Sequence, residues 1–205
     1  MHEPVPDTAA AYDALAEFWA GGAVAPTYGI AAHERALAFN PAGTTALDVG
    51  CGSEGRLHRL LLARDYTIEA LDCSALMVEL LRRRVPEVTV HHADIAHWEL
   101  PRRYDLITAW DSIWHLPLEP QRAVLAKLLA GLNPSGVLLI TAGGLDHPEE
   151  KNDSSMGPPL HYATLGIPAI INLIHTSGCN LRHLEFDQHP ESHLVVIAQR
   201  PASAS

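Results

Sequence analysis

Short apolar runs alternate with amphipathic stretches through the middle of the chain. Runs at 45–49, 67–71, 88–92, 104–110 and 136–141 carry Val, Ile, Leu and Ala at strand length. Between them, 56–64, 75–84 and 121–132 repeat apolar residues every three or four positions, which predicts helices, with a shorter turn near 95–100. Strands alternating with helices predict a parallel sheet covered by helices on both faces. In such a sheet a ligand lies at the carboxyl ends of the strands. Asp48, Asp72, Asp94 and Trp110 fall at those ends.

The two ends of the chain read differently. Residues 7–19 predict a helix capped by Asp7 or Thr8, with Tyr12, Leu15, Ala16 and Trp19 at helical spacing, stopped by Gly21-Gly22. Residues 23–29 read as a loop carrying Tyr28, and 30–39 as a second helix. Near the C-terminus, 181–187 and 193–200 read as strands separated only by 188–192. A parallel pair needs a crossover of about a dozen residues, so these two must run antiparallel. Residues 143–166 read as a long loop, a length that in a compact domain marks a functional or a mobile segment. Residues 201–205 read as a frayed tail.

At 205 residues the chain fits one domain, divided into an N-terminal helical part (1–40), a core (45–141), and a C-terminal part (142–205) with the long loop, a last helix and the closing hairpin. A formal net charge of −10 disfavours nucleic acid. No apolar run has membrane-spanning length, and Met1 to Pro4 lack the pattern of a secretory signal. Three dispersed cysteines, Cys51, Cys73 and Cys179, fit a reducing cytoplasm better than a disulfide scaffold. The 13 histidines show no zinc-type spacing, and His91 and His92 face opposite sides of one strand, so no metal is expected.

The most specific chemistry lies at 46–56. Strand 45–49 delivers Asp48 to a turn with Gly50, Gly52 and Gly55, and a helix follows. The glycine spacing alone matches dinucleotide-binding proteins. Asp48 argues against them, because a carboxylate there repels a pyrophosphate. Asp72, at the end of the next strand, has the spacing that holds ribose hydroxyls. A guest with ribose, a cationic amino-acid end and no phosphate suits both carboxylates. S-adenosylmethionine has those parts.

Here the chain resembles the class I S-adenosylmethionine-dependent methyltransferases. The resemblance is carried by Leu47-Asp48-Val49-Gly50-Cys51-Gly52, Ala70-Leu71-Asp72-Cys73-Ser74 with Met77, His92-Ala93-Asp94-Ile95, Tyr104-Asp105-Leu106-Ile107 and Leu132-Asn133-Pro134-Ser135-Gly136-Val137-Leu138, in that order. It implies an α/β, Rossmann-like, doubly wound seven-stranded sheet, mostly parallel with an antiparallel C-terminal hairpin. It also implies methyl transfer to a small-molecule acceptor, with S-adenosylhomocysteine as product. Gly50, Cys51, Gly52 and Asp48 would hold the methionine end, Asp72 the ribose, and Asp94 with the Ile95 N–H the adenine amino group. Cys73 and Met77 would pack on adenine, and the Trp110 carbonyl would face the sulfonium. Arg56 reaches the methionine carboxylate or merely solvates the helix start, and Tyr12 hydrogen-bonds the same carboxylate. The first helix would act as a lid. Asp94 has a competing role as a helix cap.

Acceptor residues are less defined. His115 acts as a base near neutral pH or is simply bonded to backbone. Asp111 binds a substrate amine or orients His115. His161 is a further catalytic candidate, and Trp19, Tyr28, Trp114, Met156 and Tyr162 are candidates for the acceptor pocket. Two alternatives remain open: a nicotinamide-dependent oxidoreductase using the same glycine spacing, and a non-catalytic S-adenosylmethionine-binding protein.

Overall fold

The structure, a computed structural model, describes residues 4–203. Met1, His2 and Glu3 of the signal-peptide expectation, and Ala204 and Ser205 of the expected tail, lie outside the described residues.

Two helices, α1 (Thr8–Ala20) and α2 (Ile30–Ala38), precede the sheet. Then come β1 (Thr45–Val49), α3 (Arg56–Leu62), β2 (Thr67–Asp72), α4 (Ala75–Arg84), β3 (Thr89–His92) and β4 (Tyr104–Ala109). After a 3-10 turn at Ile113–His115 follow α5 (Leu118–Ala130), β5 (Leu132–Gly143), β6 (Glu149–Asp153), β7 (Leu160–Thr164), α6 (Ile167–Thr176), β8 (Asn180–Phe186) and β9 (His193–Gln199).

Seven strands form one sheet in the order β3-β2-β1-β4-β5-β9-β8. β1 to β5 pair in parallel, and β9 runs antiparallel to both β5 and β8. The short 188–192 link forces this reversal, as its length requires. α5 and α6 bury Val124, Leu125, Leu128, Leu129, Ile170 and Ile174 on one face of the sheet. α2, α3 and α4 bury Ala36, Leu37, Leu57, Leu61, Val78 and Leu81 on the other. Strand order reverses between β1 and β4, so the crevice at their carboxyl ends is the natural ligand site.

Asp105, at the start of β4, braces the opposite end. It accepts from the backbone N–H groups of Thr44 and Thr45, from the Thr45 hydroxyl and from Asn133 Nδ2. Burial would raise its carboxyl pKa, but these donors hold it below the usual value.

Three expectations are corrected. Residues 143–166 are not a single long loop: β6 and β7 pair antiparallel as a separate hairpin. Glu149-Glu150-Lys151-Asn152-Asp153 has poor strand propensity, and pairing with the more apolar β7 imposes the extended form. The helix expected at 121–132 is α5. It starts three residues earlier because Pro120 is tolerated in a first turn, and it stops at Ala130 because Leu132 pairs with Tyr104. The strand expected at 136–141 accordingly starts at Leu132.

α1 does not pack on the main sheet. Its Ala11 and Leu15 bury against Leu160 of β7, with Tyr12, Trp19, Met156 and Tyr162 around them. Helix and hairpin thus form a third, small core beside the crevice.

Candidate active site

A cavity of about 720 Å³ opens at the carboxyl ends of β1, β2 and β4, within the usual range for a small-molecule site. Its floor is the glycine turn. Gly50, Gly52 and Gly55 all have positive φ, at 70°, 56° and 74°. At Gly50 a side chain is excluded twice, because a Cβ would also stand 2.3 Å from Ser112 Cβ. Ser112 is held there by donating from Oγ to the Val49 carbonyl at 2.7 Å. A Cβ at Gly52 would meet nothing, so that backbone faces open space.

The turn spends its own N–H groups internally. Gly50 and Cys51 both donate to the Leu71 carbonyl, at 2.8 and 3.0 Å. Gly52 donates to Asp72 Oδ2 at 2.9 Å. Asp72 Oδ1 accepts from the Ser74 N–H at 2.9 Å. Asp72 is only 8% exposed, and burial pushes its carboxyl upward against the pull of those two donors. Each of its oxygens keeps a lone pair for a further donor.

Asp48 lines the same cavity but is 3% exposed. Its Oδ2 lies 3.0 Å from His58 Nε2, yet that nitrogen has no partner in good hydrogen-bond geometry. The two side chains lie in buried contact at the base of the turn.

Cys51, Cys73, Met77, Asp94, Ile95 and Trp110 line the cavity. Burial raises both thiols, Cys51 well above its usual value and Cys73 to about 12, so neither is a ready nucleophile. Asp94 does cap the following turn, accepting from the Ala96 N–H at 2.8 Å, and is exposed enough to meet a guest as well. Arg56 lines the cavity but is committed elsewhere. Its Nε donates to the Tyr28 carbonyl at 2.8 Å, its Nη1 pairs with Glu54, and its guanidinium lies over the Tyr28 ring.

α1 lies along the mouth. Asp13 accepts from Ser74 Oγ and from the Leu76 N–H, binding α1 to the start of α4. Arg84 donates to the Ala20 carbonyl at 3.1 Å. Tyr12 and Trp19 therefore face the cavity. The Tyr12 hydroxyl bonds His115 Nε2 at 2.8 Å.

His115 is 6% exposed and its protonation state follows from its partners. Nδ1 donates to the His161 carbonyl at 2.8 Å. Nε2 then accepts, receiving Tyr12 O–H and, at 3.1 Å, Trp114 Nε1–H. Burial lowers its pKa to about 4, so it is neutral at physiological pH with its lone pair occupied. The backbone-bonded reading fits this geometry better than the general-base one.

Four expected residues stand outside the cavity. Trp114 packs edge-on to His115 and His193. Met156 and Tyr162 belong to the small core under α1. His161 reaches His115 only through its carbonyl, while its ring nitrogen Nδ1 bonds Asn152. These four support the wall rather than form it.

His193 was not singled out by the sequence, and it organises the far wall. Its Nε2 bonds Asp111 Oδ1 at 2.9 Å and its Nδ1 bonds Asp187 Oδ1. Tyr28 donates to Asp111 Oδ2 at 2.8 Å and receives Gln188 Nε2–H at 3.1 Å. Asp111 thus contacts His193 and Tyr28. The signal was present in the hairpin: a tight link between two antiparallel strands sets its flanking residues, 187 and 193, opposite each other. Among the described residues no group of three or more His, Cys, Asp or Glu is placed to hold a metal ion, and no helix is long and apolar enough to cross a membrane.

Residues 46–136 match a protein family described as the methyltransferase domain. Over that stretch the chain is similar to the S-adenosylmethionine-dependent methyltransferases. A dTDP-3-amino-3,6-dideoxy-alpha-D-glucopyranose N,N-dimethyltransferase of Streptomyces fradiae is 35% identical over 104 residues, 49% of this chain and 40% of that protein. A trans-aconitate 2-methyltransferase of Methylobacterium radiotolerans is 37% identical over 97 residues, 46% of this chain and 36% of that protein. The chain thus matches well under half the length of these curated relatives. Among solved structures, an amino pentose methyltransferase from Micromonospora echinaspora, with S-adenosylmethionine bound, superposes with a TM-score of 0.68 at 19% identity, covering 98% of this chain and 100% of that one. A sugar N-methyltransferase from Streptoalloteichus has a TM-score of 0.70 at 16% identity, covering 98% and 96%. At such identities these structures speak for the methyltransferase fold.

Proposed function

We propose that this protein binds S-adenosylmethionine in the cavity and transfers its methyl group to a small-molecule acceptor, releasing S-adenosylhomocysteine. One observation carries the reading. The first three N–H groups of the glycine turn, those of Gly50, Cys51 and Gly52, are spent on Leu71 and Asp72, while Asp72 keeps acceptor capacity at the cavity wall. That cradle suits ribose hydroxyls, and the Gly50, Cys51 and Gly52 N–H groups are not offered to a diphosphate, which speaks against a nicotinamide dinucleotide.

Gly50, Cys51 and Gly52, with Asp48 beneath them, take the methionine end. Asp72 takes the ribose, Asp94 and the Ile95 N–H take adenine, and Cys73 and Met77 flank its ring. The Trp110 carbonyl borders the sulfonium end. When bound, the cofactor supplies a methyl group on a cationic sulfur that is already a good leaving group. The protein's task is to align the acceptor and exclude water. α1 serves as the lid, with Tyr12 and Trp19 on its inner face. His115 fixes Tyr12 and takes no proton.

The acidic balance supports a small acceptor over nucleic acid. Three free cysteines support residence in the cytoplasm.

Turnover tests the reading. Purified protein given S-adenosylmethionine and a panel of amines, alcohols, thiols and carboxylic acids is expected to form S-adenosylhomocysteine only when an acceptor is present, as read by mass spectrometry. Tight cofactor binding with no acceptor-dependent product across the panel would favour a non-catalytic binding protein. The lid has its own test. Asp13→Ala removes the two ties to the start of α4, leaving the Arg84–Ala20 bond at the far end, and is expected to weaken S-adenosylhomocysteine binding several-fold and speed proteolysis within residues 8–20. Unchanged proteolysis would show that the β6–β7 hairpin and Arg84 suffice to hold the helix.

A further inference from the structure

We infer that the acceptor side of the cavity is built to take an amine, anchored by the Asp111 carboxylate. This rests on the methyl-transfer reading above and names the acceptor class for the same site.

Asp111 follows Trp110 at the end of β4, beside Ser112, whose Cβ closes on Gly50. It therefore stands next to the turn assigned to the methionine end. Its backbone has φ of 52°, in the left-handed region that non-glycine residues seldom occupy. The N–H of Asp111 donates to Thr141 Oγ1 at 2.7 Å, which holds the strained backbone in place. Strain kept in this way at a cavity wall is a mark of function.

The carboxylate is also fixed from two other sides. His193 holds Oδ1 and Tyr28 holds Oδ2. A proton on each ring nitrogen of His193 satisfies Asp111 and Asp187 together. Burial alone would lower the His193 pKa, but the bonds to the two carboxylates outweigh it and raise it. The Asp187–His193–Asp111 array with a charged imidazole carries one net negative charge. His193 does not line the cavity and acts only through Asp111, which does and whose side chain is 28% exposed. Each Asp111 oxygen retains a lone pair for a donor arriving from the cavity.

The surroundings select the sign of that donor. No lysine lines the cavity among the described residues, and its one arginine, Arg56, is neutralised by Glu54. Tyr12, Trp19, Tyr28 and Trp110 supply aromatic walls. A carboxylate set among aromatic faces is a receptor for a cationic or N–H-bearing group. An anionic acceptor finds Asp111 and no free counter-charge. Of the two kinds of relative, the amino-sugar and the aconitate methyltransferases, this wall fits the chemistry of the first.

Benzylamine and benzoate share a ring and differ in charge, so they probe the wall directly. Each is titrated by calorimetry or NMR into protein saturated with S-adenosylhomocysteine. Benzylamine is expected to bind at least tenfold more tightly than benzoate. Asp111→Asn keeps the size and the tolerance for a left-handed backbone. It is expected to abolish that preference, with S-adenosylhomocysteine affinity held within twofold. His193→Gln loosens the carboxylate but leaves its charge, so benzylamine affinity is expected to fall three- to tenfold with the preference over benzoate retained. Equal binding of the two probes, no benzylamine binding, or a preference that survives Asp111→Asn would overturn the inference. Failure of S-adenosylhomocysteine to bind the wild-type protein would overturn the methyl-transfer reading, and the amine assignment with it.

Discussion

Acidification from pH 7.5 to pH 4 is expected to strip on the order of 6 kcal/mol of stability through two buried histidines. His33 is fully buried. Its Nδ1 donates to the Gly29 carbonyl at 2.7 Å and its Nε2 meets Thr108 Oγ1 at 2.9 Å. His115 is neutral for the reasons given above. Burial lowers both pKa values from 6.5 to about 4. The folded form therefore resists a proton that the unfolded chain accepts at about 6.5. The contribution of each residue is intact above pH 6.5 and fades as pH falls to about 4. At about 1.4 kcal/mol per pKa unit each is worth roughly 3 kcal/mol, a large share of a typical domain's 5–15 kcal/mol. His193 has the opposite sign. Its pKa is raised, so its contribution is present below pH 6.5 and is lost as pH climbs through the folded value. Urea unfolding across this range, repeated on His33→Asn and His115→Gln, checks the claim. Each variant is expected to flatten the acid-side loss by about 3 kcal/mol. Equal slopes in wild type and variants would mean that carboxylates alone set the acid limit.

Replacing Asp72 with alanine is expected to lower S-adenosylhomocysteine affinity about 100- to 10,000-fold. Two hydroxyl donors to an ionised carboxylate are worth roughly 1.5–3 kcal/mol each, and a factor of ten is about 1.4 kcal/mol. The change also frees the Gly52 and Ser74 N–H groups, so stability is expected to fall by about 1–2 kcal/mol with the fold retained. Asp72→Asn keeps one acceptor oxygen and is expected to lie between the two. Calorimetry reads the affinity directly. An affinity unchanged in Asp72→Ala would remove this residue from the ribose role.

Much of the architecture was legible because it is written locally. Apolar runs at strand length, helices at three- and four-residue spacing and a link of six residues before β9 define the sheet and its reversed end without reference to distant contacts. The glycine turn and Asp72 were legible because Gly50 and Gly52 need positive φ and Asp72 ends a strand. What was not legible depended on partners far along the chain. β6 is strand only because β7 pairs with it. Asp48 showed a carboxylate in the sequence but not the His58 lying against it. Trp114, Met156, Tyr162 and His161 have the residue types of an acceptor pocket. The hairpin instead turns Met156, Tyr162 and His161 toward α1 and the back of His115, and Trp114 packs between His115 and His193. His193 gained its place from three residues, Asp111, Asp187 and Tyr28, that only the finished sheet brings together.

Function depends on a pocket that receives an adenosyl group with a charged amino-acid end and whose Gly50, Cys51 and Gly52 N–H groups are turned away from a phosphate. Parallel titrations of the purified protein with S-adenosylhomocysteine and with NAD test this most directly. The expected result is saturable binding of S-adenosylhomocysteine at one site per chain, with a rise in melting temperature, and no response to NAD. Saturable binding of NAD with no response to S-adenosylhomocysteine would contradict it.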